Sequence, residues 1–320
     1  MTIKLAELAE QILTGANLDL QTALDLSQTS ELNELFFWAD QIRERFRGSK
    51  VDLCTIMNAK SGQCSENCKF CAQSVHYQTG IKEYPLVTKE VALEMALENQ
   101  VAGVKRFSLV TSGKVLTGED FEQILEIFVA LKGATSLRLC ASLGCISLEQ
   151  ARALQQVGVE RYHHNLESNR EFYPEICNTH PYELRVATIK NAQAVGLDVC
   201  AGGIIGLGEQ LSDRIKLAFE LRELGVRSIP VNVLNPIKGT PLEQQKILDP
   251  LEILKTFALF RLIIPDGEVR YAGGRVSLGE QQKVGLRAGV NAVLVGNYLT
   301  TIGNQIEADL KMITEAGLEV

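Results

Sequence analysis

The chain has 320 residues, of which 46% are hydrophobic, and a formal net charge of −7. That hydrophobic content is ample for a large buried core. The negative charge and the lack of a basic stretch argue against a nucleic-acid partner, because nothing in the sequence would neutralise phosphates.

Eight cysteines occur without a recognisable export signal. Reduced thiols and metal ligands are therefore expected rather than disulfides, which persist mainly in oxidising compartments. No apolar run is long enough to cross a bilayer. We expect a cytoplasmic protein with no membrane partner.

The first fifty residues predict helices. Apolar residues recur at helical spacing in 3–13, 20–26 and 32–46. We expect residues 1–50 to form a helical cap that packs on the unit formed by 51–320, within one structural domain overall.

From residue 51 onward, short β-rich runs alternate with amphipathic stretches. The predicted strands are 51–57, 104–110, 137–142, 161–167, 197–205, 228–234, 268–272 and 292–296. The predicted helices lie near 88–101, 118–132, 147–157, 181–195, 211–224, 250–263, 278–287 and 305–316. Eight strand–helix pairs in strict alternation indicate parallel pairing and the strand number that closes a barrel. We predict an α/β fold, a (β/α)8 TIM barrel with an N-terminal helical extension; a doubly wound open sheet is the alternative.

Three cysteines follow the first predicted strand in a loop of small and polar residues. Cys64, Cys68 and Cys71 are spaced Cys-x3-Cys-x2-Cys, at the end of the barrel where active sites lie. Three thiolates are one fewer than a closed cubane or a structural zinc site needs. One iron of a cluster would then stay open to a small molecule. The alternative is half of a zinc site, completed by His163, His164 or a distant cysteine.

These residues resemble a known family. With Phe70 as the aromatic, Cys-x3-Cys-x2-aromatic-Cys resembles the hallmark of radical S-adenosylmethionine (SAM) enzymes. The run Cys-Ala-Gln-Ser-Val-His-Tyr-Gln-Thr-Gly from Cys71 resembles, more narrowly, the biotin synthase family, and the likeness runs from about Leu35 to Asn304. It implies a [4Fe–4S] cluster held by the three thiolates, with SAM on the fourth iron. It also implies sulfur insertion into dethiobiotin, a flavodoxin or ferredoxin electron donor, and a homodimer.

A second set of candidate ligands lies on predicted strands three, five and seven. Cys140, Cys200 and Arg270 can converge there, because alternate strands supply one layer inside a barrel. From chemistry alone the two cysteines can equally be small buried hydrophobes. The resemblance implies that both bind an auxiliary iron–sulfur cluster that donates sulfur, with Arg270 as a further ligand or a neighbour.

One position departs from the family pattern. Ser108 stands where the family has a cysteine on the second strand, and a serine oxygen is a poor ligand for soft iron. We predict that Cys145, in the loop after strand three, replaces that thiolate in a [2Fe–2S] or a larger cluster with an extra sulfide. The alternative is that Cys145 is incidental and the auxiliary cluster is degraded or absent. Cys54 is expected to pack inside strand one, and Cys177 to lie in a loop.

A glycine-rich run, 202–209, follows Cys200 and lets the backbone approach a ligand closely. It is not the Gly-x-Gly-x-x-Gly pattern of dinucleotide-binding folds. The resemblance implies that SAM contacts come from this run, from the end of strand four and from the following helix. The implied residues are Phe70, Asn165, Glu167, Arg185, Gly203 and Ile205.

The resemblance also implies a dethiobiotin site further along the barrel mouth. Its expected residues are His163, Asn165, Asn232, Thr300 and Thr301, of which the threonines are otherwise a simple turn. No side-chain acid or base is expected, because the cofactors supply the reactive chemistry. Two alternatives stay open: another radical SAM barrel, such as a hydrogenase-cluster or pyrrolysine-pathway maturase, and a non-enzymatic iron–sulfur carrier.

Overall fold

The computed structural model of the chain describes residues 4–296, 299 and 305–320. Within them, nine short strands run parallel to one another. They are β1 (Asp52–Lys60), β2 (Arg106–Thr111), β3 (Arg138–Ser142), β4 (Val159–His163), β5 (Asp198–Cys200), β6 (Gly203–Ile205), β7 (Ser228–Val233), β8 (Glu268–Tyr271) and β9 (Ala292–Leu294).

The sheet closes on itself. Its order is β5-β4-β3-β2-β1-β9-β8-β7-β6, and a further pairing joins β5 to β7. Because β5 and β6 are two pieces of one interrupted strand, the nine strands occupy eight positions around a closed barrel. The predicted (β/α)8 barrel is confirmed, and the open-sheet alternative is wrong.

Helices cover the outside of the barrel. They are α1 (Leu5–Leu13), α2 (Leu20–Leu26), α3 (Leu32–Arg47), α4 (Lys89–Val101), α5 (Gly118–Ala134), α6 (Leu148–Gln156), α7 (Tyr173–Ile176), α8 (Tyr182–Ala194), α9 (Leu211–Glu223), α10 (Pro250–Ile263), α11 (Gln282–Leu286) and α12 (Ile306–Glu315). A 3₁₀ helix, Arg275–Gln281, precedes α11 in place of the longer predicted helix. None of the helices in these described ranges is both long and apolar enough to span a membrane.

Local signals in the sequence explain where helices begin. Asp249 accepts a hydrogen bond from the Leu251 amide, with Pro250 at the first helical position of α10. Ser147 and Gln150 form a capping box at α6. These caps satisfy amides that have no partner within the helix.

The first three helices pack on the outside of the barrel. α3 packs against α10 and α1, and α2 packs against α9. Lys255 donates a hydrogen bond of 2.8 Å to the carbonyl of Thr29, and Arg222 donates one of the same length to Leu18. The three helices were predicted from the apolar periodicity of residues 1–50. That residues 1–50 form a unit separate from 51–320 stays a prediction.

Two strand boundaries differ from the prediction in a way that shapes the site. β4 begins at Val159 and ends at His163, so Asn165 and Glu167 lie in the loop beyond it. The predicted fifth strand is broken after Cys200, between β5 and β6. The first change places polar residues beyond the carboxyl end of β4, where a barrel binds its ligands. The second leaves Ala201 and Gly202 in the break.

Candidate functional site

A cavity of about 380 Å³ extends from the barrel mouth into its interior. Residues from all nine strands line it, together with the cysteine loop. The structure brings these predicted site residues together around it: Phe70, Cys71, Cys140, His163, Asn165, Glu167, Cys200, Asn232 and Arg270. Thr300 and Thr301 lie outside the described residues.

The cysteine loop at the mouth is held by its own backbone. The Cys64 amide donates to the Gln73 carbonyl at 3.0 Å, and the Val75 amide donates to the Cys64 carbonyl at 2.9 Å. The Cys71 amide donates to the Cys68 carbonyl at 2.9 Å, which tightens the turn between them. Burial raises the pKa of the Cys71 thiol to about 11. The loop therefore presents thiols on a fixed frame, and metal binding would displace their protons.

Sequence reasoning missed a group beside Cys68. The Cys68 thiol donates to the Cys177 sulfur at 3.6 Å, and Cys177 lies 3.4 Å from Nδ1 of His180. The ring of His180 also contacts the carboxylate of Glu66. The hydrogen bond from Cys68 and the nearby His180 lower the pKa of Cys177. The available signal in the sequence was that a cysteine and a histidine, Cys177 and His180, stand three positions apart.

This group bears on the zinc alternative. In the described part of the chain, the set of three ligand atoms within 4.8 Å of one another is Cys68, Cys177 and His180. Of the partners that the zinc hypothesis named, a distant cysteine is present, as Cys177, whereas His163 and His164 are not in the set. A zinc ion there would use one of the three loop cysteines and leave Cys64 and Cys71 without a role.

The loop after β4 forms a polar shelf at the mouth. Asn165 Nδ2 donates to Glu167 at 3.3 Å, and Arg185 lies 3.6 Å from the other carboxylate oxygen. Arg185 also donates to the Asn165 carbonyl and to the hydroxyl of Tyr173, both at 2.9 Å. Burial works against the charge of Arg185, but Glu167 raises its pKa. Arg185 does not line the cavity itself; it braces the two residues that do.

Glu167 has an uncommon backbone conformation, with a φ of 71°. Non-glycine residues adopt this region rarely, and such strain is concentrated at functional sites. Its carbonyl accepts from the Ile204 amide at 2.8 Å, which ties the shelf to the start of β6. The Glu167 carboxylate is thereby fixed at the cavity wall.

The glycine pair between β5 and β6 is required by packing. A Cβ on Gly202 would lie 1.9 Å from the Pro230 carbonyl oxygen, and one on Gly203 2.5 Å from that of Glu167. Ile204 lines the cavity, whereas the side chain of Ile205 is buried away from it. Close packing of the backbone is sufficient to explain why Gly202 and Gly203 are glycines. The predicted SAM contacts of Gly203 and Ile205 therefore stay predictions.

Asn232 stands on β7, beside the β6 segment that pairs with Glu167 of the shelf. Its amide donates to the Gly203 carbonyl at 3.1 Å and accepts from the Gly273 amide at 2.9 Å. Two neighbouring strands therefore orient this side chain. An amide can serve both a donor and an acceptor of a ligand.

Deeper in the barrel, His163 and Cys200 form a pair. Burial would raise the pKa of the Cys200 thiol, but its hydrogen bond with His163 lowers it to about 7. Burial would lower the pKa of His163, but the bond to Cys200 raises it. The Cys200 sulfur also accepts from the Ser228 hydroxyl at 3.4 Å. A thiolate at this depth is therefore already stabilised by donors.

Three arginines surround the inner end of the cavity, and two of them, Arg106 and Arg161, were not predicted. Both occupy the same period-two face of their strands as Ser108 and His163, which was the available signal. Among the described residues, Arg106 Nε and Nη2, Arg270 Nε and Ser108 Oγ are buried without a hydrogen-bond partner. Arg161 and Arg270 each form a salt bridge with Glu268, and Arg270 forms another with Asp52, whereas Arg106 forms none among the described residues. A buried cation without a counter-ion is costly, so the wall beside Arg106 suits a bound anionic group such as a thiolate-ligated iron–sulfur cluster.

Cys145 lies apart from these residues. It does not line the cavity, and its sulfur is 3.9 Å from Nε2 of His164. Its amide donates to the Lys114 carbonyl at 2.7 Å, which holds the loop after β3 against the loop after β2. The structure therefore does not bring Cys145 together with Cys140 and Cys200. Cys54, by contrast, lines the cavity with both of them.

Comparison with protein families agrees with the site. Residues 60–221 match the radical SAM superfamily, and residues 230–319 match the biotin and thiamin synthesis associated domain. The biotin synthase of Acetivibrio thermocellus is 56% identical over 96% of each chain. That of Clostridioides difficile is 54% identical over 93% of this chain and 92% of its own.

Solved structures share the fold. Methylornithine synthase (PylB) has a TM-score of 0.84 at 21% identity, covering 98% of this chain and 96% of its own. HydG, a maturase of the [FeFe]-hydrogenase, has the same TM-score at 18% identity, covering 98% and 74%. At these identities the likeness concerns the barrel alone, so it does not separate the enzymes that share it. The two biotin synthases, by contrast, match nearly the whole chain at more than 50% identity. This chain therefore belongs to the biotin synthase family of the radical SAM superfamily.

Proposed function

We propose that this chain catalyses the reaction of its family, the insertion of sulfur into dethiobiotin to give biotin. One observation supports this most directly: a single cavity is lined at its mouth by Cys71 and at its inner end by Cys140 and Cys200. Such a cavity can hold a substrate between a radical source and a sulfur source.

The cofactors of the family are a [4Fe–4S] cluster, SAM and an auxiliary iron–sulfur cluster. Cys64, Cys68 and Cys71 would hold the first, and the inner thiols would hold the auxiliary cluster. When bound, these groups supply an electron, a hydrogen-abstracting radical and the sulfur atom, for which side chains have no equivalent.

The protein supplies position and exclusion of water. Glu167 and Asn165, braced by Arg185, offer acceptors and donors at the mouth for the polar part of SAM. Asn232, held between two strands, offers a donor and an acceptor to a cyclic urea. The buried wall below them keeps the reacting carbons away from water.

Assembly and supply are also part of the proposal. We infer a flavodoxin- or ferredoxin-type electron donor, because single electrons must reach the cluster at the barrel mouth. A homodimer and a cytoplasmic location are further inferences from the family and from the free cysteines.

The test is anaerobic turnover of reduced, cluster-loaded protein with SAM and dethiobiotin. Biotin should form together with methionine and 5′-deoxyadenosine. A Cys140→Ala variant should still release 5′-deoxyadenosine but make no biotin, because the cysteine loop is untouched. SAM cleavage without biotin in the wild-type protein would point to another radical SAM reaction, and no cleavage at all would point to a carrier.

A further inference from the structure

Four inward-facing side chains of the barrel belong to one layer. Cys54 lies on β1, Cys140 on β3, Cys200 on β5 and Arg270 on β8, which are the first, third, fifth and seventh positions of the barrel. Alternate strands of such a barrel contribute the side chains of a single layer. All four residues line the cavity.

Strand register supports this placement independently. Cys54 pairs with Arg106, and two residues on, Ser108 pairs with Cys140. The same step leads from Cys140 to Cys200, because Cys140 pairs with Arg161 and, two residues on, His163 pairs with Cys200. It leads from Cys200 to Arg270, because Cys200 pairs with Ser228 and Pro230 pairs with Arg270. It leads from Arg270 back to Cys54, because Arg270 pairs with Ala292 and Leu294 pairs with Cys54. A two-residue advance at each step returns to Cys54 and closes the barrel. Cys54 is therefore related to Cys140 and Cys200 by the regular stagger of the strands.

The contacts of the three sulfurs are alike. Arg270 Nη1 donates to Cys54 Sγ at 3.3 Å, and Arg106 Nη1 donates to Cys140 Sγ at 3.6 Å. Cys200 Sγ accepts from Ser228 at 3.4 Å. Each sulfur thus has a donor behind it, which stabilises a thiolate. The hydroxyl of Ser108, one layer further toward the mouth, has no hydrogen-bond partner among the described residues.

We propose that Cys54, Cys140 and Cys200 are the thiolate ligands of the auxiliary cluster. In the family, a cysteine at the position of Ser108 is the third ligand; in this chain, Cys54 replaces it. Arg270, in contact with Cys54, lies beside the cluster. The proposal rests on the proposed function, because it assumes that this chain has an auxiliary cluster. It differs from our prediction of Cys145, whose sulfur lies outside the cavity beside His164.

Mössbauer spectroscopy of anaerobically purified protein, with iron and sulfide counts per chain, tests the assignment. Cys54→Ala should lose the auxiliary-cluster signal and keep the signal of the cluster at the mouth. Cys145→Ala is the matched control and should give the wild-type spectrum. The opposite pattern, or an unchanged auxiliary signal in Cys54→Ala, overturns the proposal.

Two further variants separate ligand loss from misfolding. Cys54→Ser keeps the size of the side chain and should lose the same signal while its circular dichroism and melting stay those of the wild type. Ser108→Cys in the Cys54→Ala background should restore an auxiliary signal, since it returns a thiol to the same cavity. If biotin does not form but the signal depends on Cys54, the proposed function fails and the ligand assignment stands. If biotin forms and the signal is indifferent to Cys54, the assignment alone fails.

Discussion

The two groups of cysteines in this barrel are built in different ways. At the mouth, Cys64, Cys68 and Cys71 lie within one loop whose shape is set by its own backbone hydrogen bonds. In the interior, the thiols come from strands far apart in the chain and are brought together by strand register. A loop site tolerates no change of spacing, whereas a layered site can receive a ligand from a different strand of the barrel.

The surroundings of the two groups differ as well. Arginines line the inner end of the cavity, and a His163–Cys200 pair lies among them. The mouth instead has the backbone amides of the cysteine loop and the polar shelf, and it opens to solvent. The interior is suited to keep an anionic group, and the mouth is suited to bind and release a small molecule.

The largest effect is expected where the mouth is broken. Cys71→Ala should remove the cluster at the mouth and abolish SAM cleavage, because two thiolates cannot replace three. The auxiliary-cluster signal should remain, since the interior layer is untouched. Iron counts and 5′-deoxyadenosine assays measure both. Loss of both clusters together would mean that the two regions assemble as one unit.

A smaller effect is expected at the brace of the shelf. Arg185→Ala removes two hydrogen bonds of 2.9 Å and leaves the half-buried Glu167 carboxylate without its cation. Hydrogen bonds to charged groups contribute about 1.5–3 kcal/mol, so the Kd for SAM should rise about 10- to 100-fold. Equilibrium dialysis with cluster-loaded protein gives the value.

Arg170→Ala is the matched control, because that arginine is exposed and contacts Tyr182 and Glu183 rather than the shelf. It should leave SAM binding unchanged. Equal weakening in both variants would show that the helix, and not the brace, determines affinity.

The sequence revealed these two regions unequally, for physical reasons. The barrel and the loop motif were predictable, because alternation and contiguous spacing are local properties. Cys54 was assigned to plain packing because a parallel strand is buried on both faces, so periodicity alone does not tell the interior from the helix side. Cys145 was chosen for its nearness to Cys140 in the chain. Gly144 packs closely on the backbone of Lys114, where a Cβ would lie 2.2 Å from the carbonyl oxygen. The turn there places Cys145 beside His164, outside the cavity.

A pH titration sharpens the comparison from the interior side. In cluster-free protein, the thiolate absorbance of Cys200, taken as wild type minus Cys200→Ser, should rise with a midpoint near pH 7. With His163→Gln, the imidazole no longer opposes the effect of burial, and the midpoint should rise, although Arg161 and Arg270 still favour the thiolate. His164→Gln, the neighbouring ring, should leave the midpoint in place.

The same shift predicts a stability change. Because the folded pKa of Cys200 is lower than the unfolded value near 9.0, its contribution to stability is complete above that value. It is lost as the pH falls through 7. Thermal melts of wild type and Cys200→Ser should therefore converge below pH 7, and a constant difference across this range would contradict the assigned pKa.

The smallest effect tests whether the mouth truly has three ligands. Cys177 lies 3.6 Å from Cys68, close enough to raise the question of a fourth thiolate. Its partners argue against that role, because His180 and Thr179 already contact the Cys177 sulfur, and Glu66 fixes His180. Cys177→Ala should therefore keep the iron content of the mouth cluster and change SAM cleavage only slightly, whereas Cys68→Ala should lose the cluster. Addition of SAM should perturb the electron paramagnetic resonance spectrum of the reduced cluster equally in wild type and Cys177→Ala. If the alanine variant instead lost its iron, Cys177 would occupy the corner that SAM needs, and the mouth would no longer be the open site on which the comparison depends.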